Sequence, residues 1–574
     1  SQPITKAQSS YVPIGKGCTN AYYIDKDCDG YGIASPLGVD ADDNDPEVNT
    51  PETVIAKYGN LTNFLNYLGY NPDRIFYIST NGDDNTGEVN NINKPYKTWN
   101  AVKPQLQPGD AVIFRKGTYG RLITEKLEGT ADKPIIFMTY PGEKVVIDGA
   151  YDSINVAYTS YLIFDGFILD NSKDEYGRGI NGHYFNHLTF RNIEAKGHSN
   201  GMHCGQKLHD ILIENCVFHD NLTSHGIYLN GDTMEKKADN ITVRNCLMYR
   251  NGRHGFQFNG DADNILCENN IIHSNALGGF SLLRGVRNSI FRNNLIFNNT
   301  RPGFIFLIYD SSYGDERSED NNLIINNIVW EGKYKNEMGG GMQEDKGAVV
   351  FNDVTENFTF TNNTFRNNIF VTYSAGTFYF NQYRHFPLTI IENNIFYKMG
   401  NHPNIVMKSD DNGDYDFDTF ENISNLVKNN LLADPKFTDV SIGYNLAPEK
   451  FNFDYLPDSP AVNFGITTDA PSTDLRGNSR DENPDAGCYE YGKTSINQPP
   501  VANAGGDKIA IDYDKDWKED VTLDASQSYD PDGQILHYLW YERDEQIGSQ
   551  KTITLSFSAG VHQIKLMTID DKGA

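Results

Sequence analysis

The sequence predicts an all-β protein organised around a right-handed parallel β-helix, with a smaller β-sandwich after it. Two observations carry the solenoid. The first is a strand phrase of alternating apolar residues that ends in Asn five times, at Asn192, Asn215, Asn245, Asn269 and Asn293, with intervals of 23, 30, 24 and 24 residues. A near-constant period of this size without a helical stripe marks a repeat whose unit is one coil, and the alternation inside each copy marks a strand. The second is a further strand in each repeat, opened by Gly201, Gly226, Gly255, Gly279 and Gly303. Period two sends Met202, Ile227, Phe256, Phe280 and Phe304 into the bore and turns His203, Tyr228, Gln257 and Ser281 outward. Coils stacked at about 4.8 Å bring the repeat Asn amides above one another, which predicts one internal ladder through those five residues. A packed bore leaves ligands an outer groove.

Taken in order, residues 1–50 are rich in aspartate: Asp25, Asp27 and Asp29 alternate before Gly30, and Asp40, Asp42, Asp43 and Asp45 follow. Carboxylates so spaced supply the oxygen ligands that a hard cation needs. There is no Glu at the twelfth position and no flanking helix, so the segment is not an EF-hand; its plain alternative is a solvated acidic linker. The phrases resemble the calcium-binding aspartate repeats of the thrombospondin type 3 kind, which implies a structural Ca2+ held by these seven aspartates, and a second calcium site in the β-helix is kept open. Seven cysteines are too few for a disulfide scaffold. Cys18 and Cys28 bracket a short loop across which a disulfide can form, and Cys216 and Cys246, on neighbouring coils, read as buried thiols.

Residues 51–493 are assigned to the β-helix. Arg74-Ile-Phe-Tyr-Ile, Lys94-Pro-Tyr-Lys-Thr-Trp99 and the strand after Pro108-Gly-Asp110 resemble the entry to extracellular β-helix proteins that act on polysaccharides. The resemblance implies a first strand and then a helix that closes the solenoid, which is needed because an open terminal coil exposes both core and strand edge. Copies continue through Asn326, Asn367 and Asn393, with excursions at 310–321, 333–346 and 381–385 that wall the groove. Residues 494–500 form a linker. From 501 to 574, the phrases Val521-Thr-Leu-Asp, Asp530-Pro-Asp-Gly533 and Tyr538-Leu-Trp-Tyr resemble a PKD domain, which implies an immunoglobulin-like β-sandwich.

The chain carries 77 acidic against 49 basic residues, a net charge of −28. That balance argues against nucleic acid or an anionic membrane as partner. No apolar run reaches membrane-spanning length and the start shows no signal peptide, so the chain reads as a mature secreted or cell-surface monomer without membrane insertion. The solenoid centre departs from the average: residues 170–301 hold 14 Lys or Arg against 13 Asp or Glu, and nine of the 13 His lie between His183 and His273.

Together the acidic repeat, the coils and the PKD phrases resemble secreted bacterial polysaccharide lyases, near polysaccharide lyase family nine or the chondroitinase B and alginate lyase group. The resemblance implies β-elimination, and the basic and imidazole groups at the solenoid centre point to an anionic, uronate-containing polysaccharide, sulfated or not, of fucoidan, ulvan or alginate type. Family nine uses an acidic calcium cluster and a Lys base; here the corresponding phrase is Thr223-Ser-His225-Gly-Ile-Tyr228, without carboxylates. The expected catalytic group is therefore His225, Tyr228, His254 and Arg253: an imidazole of His225 or His254 as base, Tyr228 as proton donor, and Arg253 or Arg284 on the carboxylate. His203, Arg284, Gln257, Asn230 and Asn259 are expected to bind substrate. Each His alone also reads as a loop or ladder residue, and His219 and His273 are assigned that role. Two rivals stand: a glycoside hydrolase using Asp232 and Asp261, and a non-catalytic glycan-binding adhesin.

Overall fold

The computed structural model of the chain describes residues 13–149, 151–171, 177–231, 237–300, 303–308, 318–331, 347–353, 360–372, 376–399, 404–440, 448–492, 500–506, 508–512, 516–529, 535–542 and 545–570. Asp232, most of the excursions at 310–321 and 333–346, and the linker except Pro500 lie outside these residues.

Each coil makes three strand runs, which stack into three parallel faces. Two faces belong to one 24-stranded sheet, and the third is a separate 12-stranded sheet. One coil shows the pattern: Ile227–Gly231 on the face of the outward histidines, Ala238–Arg244 on its neighbour, and Leu247–Tyr249 on the back. The predicted register holds, with Met202, Ile227, Phe256, Phe280 and Phe304 paired in sequence and buried. Their rings and branches form the dry stack that alternation demands.

The Asn ladder runs one residue later than expected. Asn192, Asn215, Asn245, Asn269 and Asn293 hold φ between 53° and 56°, the left-handed bend between neighbouring face and back. Asn tolerates that conformation better than other L residues with a Cβ, which is why it recurs there. Asn245 is exposed. The residue after each bend points inward instead. Asn270, Asn294, Asn327, Asn368, Asn394 and Asn430 pass amide hydrogen bonds along the axis at 3.1, 2.9, 3.0, 3.0 and 3.0 Å. In earlier coils this position holds Cys216 and Cys246, both buried free thiols. A second ladder, Asn221, Asn251, Asn275 and Asn299, lines the next bend at 2.8, 2.9 and 3.0 Å.

The short helix Trp99–Val102 closes one end: Val102 is fully buried in the bore cluster and Trp99 meets Phe137 edge-on at 5.3 Å. At the other end Phe420, on the helix Phe417–Glu421, packs against Phe378, Phe386 and Phe396. Helices Pro51–Tyr58 and Leu61–Tyr67 cover the outward apolar residues of the first coils instead of the bore.

Both flanks of the chain cover the back face. Ile14, Ala21, Ile24 and Ile33 share one cluster with Val217, Leu247, Ile271 and Leu295, and with Phe451, Phe453 and Tyr489 from the closing segment. Beneath them His219, Tyr249, His273 and Phe297 stack at 4.8, 5.2 and 4.8 Å, and His273 Nε2 donates to the Ala21 carbonyl at 2.6 Å. The structural role assigned to His219 and His273 is the one they occupy. Covering the back in this way directs any ligand to the other two faces.

Beyond the β-helix, Lys518–Asp524 pairs antiparallel with Thr552–Ser558, and Ile535–Glu542 with Glu545–Gly548 and Ile564–Asp570. Leu523, Ala525 and Trp540 are buried between them, giving a small immunoglobulin-like sandwich.

Candidate functional site

The histidine face carries the candidate site on consecutive coils. His203 and Tyr228 are register partners, and their rings stack at 4.7 Å with 3° between planes. Gln257 follows Tyr228 in the same column, while Ser281, the next member, is almost fully covered. Asn230 and Asn259 pair in the adjacent outward column, and Asn259 Nδ2 donates to the Tyr228 hydroxyl oxygen at 2.9 Å. That bond fixes the phenol and leaves its proton available to a ligand.

His225 and His254 stack at 5.5 Å, and His225 also meets the Tyr228 ring at 5.3 Å. Both are buried, at 2% and 7% exposure. Their Nδ1 atoms are already engaged: His254 N–H donates to His225 Nδ1 at 3.3 Å, and Gly278 N–H to His254 Nδ1 at 3.0 Å. A neutral imidazole that accepts at Nδ1 carries its proton on Nε2 and offers only a donor there. The base role expected for His225 or His254 is corrected on this ground, because the one lone pair on each ring is spent on the main chain. Burial, with His254, Arg253 and His203 nearby, holds His225 neutral, its pKa down to about 2.

His203 differs. Its Nδ1 is buried without a hydrogen-bond partner, and burial, helped by Arg178, lowers its pKa to about 4, so it is neutral at pH 7 and its Nδ1 is not spent on the main chain. Arg253 is exposed at the turn before His254. Arg284 falls level with Gly260, at the opposite strand end two coils past Tyr228, with φ 73°. The two arginines, expected as alternatives on the carboxylate, therefore stand at opposite strand ends. Asp261 is 0% exposed and its carboxylate meets Arg287 at 3.0 Å, which withdraws it from a hydrolytic pair. A surface depression of about 570 Å³ lies on the neighbouring face along His187, Asp210, Asn240 and Asn264, away from these groups.

Arg178 is the residue that sequence reasoning missed. Arg178-Gly179-Ile180 is the same phrase as His225-Gly226-Ile227, two coils earlier, and that repetition was the available signal.

In the N-terminal segment, which Cys18 and Cys28 tie with a disulfide, carboxylate oxygens converge in two groups. Asp25, Asp27 and Asp29 form one and Asp27, Asp40 and Asp43 the other, with atoms of each group within 4.8 Å. Asp42 and Asp45 are not among them: Asp42 accepts from the Asn44 amide and Asp45 pairs with Lys57. Five of the seven expected aspartates therefore converge, and Asp42 and Asp45 do not. Burial, then mutual repulsion, raises the pKa of Asp25 to about 8, Asp27 to about 7 and Asp40 to about 9; burial outweighs Lys26 to raise Asp43 to about 6. Oδ2 of Asp27 and Oδ2 of Asp40 are buried without a hydrogen bond. An all-oxygen, repelling set of this kind fits a hard divalent cation.

Residues 76–240 match the family model described as "Pel9A-like, right handed beta helix region", residues 210–412 match "Right handed beta helix region", and residues 497–574 match "PKD domain". Among individual proteins, the uncharacterized protein YwoF of Bacillus subtilis (strain 168) is 36% identical over 88 residues, which is 15% of this chain and 18% of that protein. The chain therefore spans under a fifth of that relative. Among solved structures, pectate lyase Pel9A aligns at 15% identity and TM-score 0.47, over 74% of this chain and 98% of that one. XylC with xylose aligns at 10% and 0.44 over 72% and 98%, and an alginate lyase from Paenibacillus sp. str. FPU-7 at 17% and 0.34 over 46% and 90%.

Proposed function

We propose that the chain is an extracellular, monomeric polysaccharide lyase that cleaves a uronate-containing polysaccharide by β-elimination, with a structural Ca2+ on Asp25, Asp27, Asp29, Asp40 and Asp43. The observation that carries the reading is the pair His203 and Tyr228. A neutral imidazole and a phenol lie in one outer groove, stacked at 4.7 Å, with the phenol oxygen held by Asn259 at 2.9 Å. Elimination needs a base for the C5 proton, an acid for the leaving oxygen and a cation for the carboxylate. In this reading His203 takes the C5 proton, the C4–O bond breaks as the C4–C5 double bond forms, and Tyr228 gives its proton to the departing oxygen. His203 then returns a proton to Tyr228, so the pair ends neutral. A bound carboxylate favours the imidazolium and raises the low pKa of His203 when the base is needed. Arg253 binds the carboxylate, Gln257 and Asn230 face the sugar hydroxyls, and His225 and His254 shape the groove as Nε2 donors.

The acidic cluster and the Cys18–Cys28 disulfide support a calcium-replete, oxidising location outside the cell. Substitution tests the roles. Tyr228→Phe and His203→Asn should each cut turnover by about 10²–10⁴-fold with the fold intact, as loss of acid–base help does. His225→Asn, which keeps a short acceptor for the main chain, should cost far less. Equal losses in all three would return the base to His225.

A further inference from the structure

Arginines along the central coils are mostly neutralised where they stand. Arg121, Arg191, Arg244, Arg250, Arg287 and Arg292 each pair with a carboxylate. Among the described residues Arg178 pairs with none, in a molecule of net charge −28. It is held by a neutral group instead: Arg178 Nη1 donates to Asn181 Oδ1 at 3.1 Å. Asn181 in turn donates from Nδ2 to Asp152 Oδ2 at 2.9 Å, and Arg121 meets the same oxygen at 2.6 Å. Asp152 is 1% exposed, so its charge is consumed by Arg121 and its geometry is passed to Arg178 through an uncharged amide. Asn181 is the register partner of His203, so the guanidinium is anchored one coil from the proposed base. Orientation without neutralisation leaves a full positive charge for a ligand.

We propose that Arg178 is a second carboxylate-binding residue, with Asn181 and Asp152 as its positioning residues. It stands three coils before Arg253, about 14 Å along the axis. A single uronate cannot reach both, so the groove selects a run of charged sugars, a polyuronate, over an isolated uronate in a neutral chain. This rests on the lyase reading for the location of the groove and for the role of Arg253.

The test is calorimetric binding on a Tyr228→Phe background, so that turnover does not consume the probe. The probes are oligogalacturonate and alginate oligomers and their carboxyl-reduced counterparts. Arg178→Gln should weaken binding of the preferred charged oligomer about 10–100-fold, the loss of one charge-assisted contact, and leave the reduced counterpart unchanged. Arg178→Lys should recover part of the loss, and Asn181→Ala, which keeps the charge but not its orientation, should fall between. Equal losses for charged and reduced oligomers, no loss for either, or a parent protein that prefers neither, would overturn the proposal. Preserved discrimination in a protein that yields no unsaturated product would sink the lyase reading and leave Arg178 standing.

Discussion

Asn269 and Asn270 are adjacent, identical in chemistry and opposite in role, and replacing each in turn should separate bend from ladder. Asn270 is 0% exposed. Its Oδ1 accepts the Cys246 N–H at 3.0 Å, and its Nδ2 donates to the Val243 carbonyl at 2.9 Å and to Asn294 Oδ1 at 3.1 Å. Asn270→Ala strands the Cys246 N–H and takes one donor from the Val243 carbonyl, which stays in the parallel ladder with the next coil. Asn294 Oδ1 keeps a partner in the Asn270 N–H at 3.0 Å. At about 1–3 kcal/mol for a buried group left unpaired and about 1 kcal/mol for a further hydrogen bond lost, the loss is about 2–4 kcal/mol. Asn269 holds φ 56°, a conformation glycine adopts without strain, so Asn269→Gly should stay within about 1 kcal/mol of the parent. Urea unfolding followed by far-ultraviolet circular dichroism measures both on one scale. Equal costs, or a larger cost at Asn269, would refute the register and return the ladder to the bend residues.

The remaining predictions concern metal and proton. Chelation should lower the melting temperature at pH 8, and calcium should restore it. Asp25 and Asp40, raised from 3.8 to about 8 and about 9, hold more protons folded than unfolded, so the metal-free fold loses stability as pH rises from about 4 towards those values. The chelation penalty should therefore shrink at pH 5, and a penalty that grows on acidification would contradict the cluster. For catalysis, His203 sits near 4 instead of 6.5. Its neutral, base-competent form thus persists to lower pH, and the acid limb of kcat/KM should fall near pH 4; a limb near 6.5 would point to an imidazole exposed to water.

Much of this architecture is legible because a solenoid repeats itself. The inward column from Met202 to Phe304 and the outward His203 and Tyr228 follow from period two, and the closing helix at Trp99 from the resemblance of the phrases around it to the entry of extracellular β-helix proteins. The ladder slipped by one because two adjacent asparagines fit the same pattern. Only backbone angle distinguishes Asn269 from Asn270, and sequence does not print φ. The histidine roles depended on Nδ1 partners, which are main-chain N–H groups of the next coil and carry no residue signature. Five of the seven aspartates converge because alternation before Gly30 curls the chain. Asp45 was lost to Lys57, twelve residues on, in the last turn of the helix Pro51–Tyr58. Arg178 was visible only as a phrase repeated two coils apart with a different first letter.

The central claim is elimination in the groove of His203 and Tyr228, and the most direct measurement is ultraviolet absorbance during incubation with polygalacturonate, alginate and ulvan, with reducing ends followed in parallel. The account predicts that absorbance from an unsaturated uronate end rises in step with reducing ends on at least one polyuronate, and that Tyr228→Phe suppresses both. Reducing ends without the absorbance would mean hydrolysis, and neither signal with retained binding would mean a glycan-binding solenoid; either result contradicts the account.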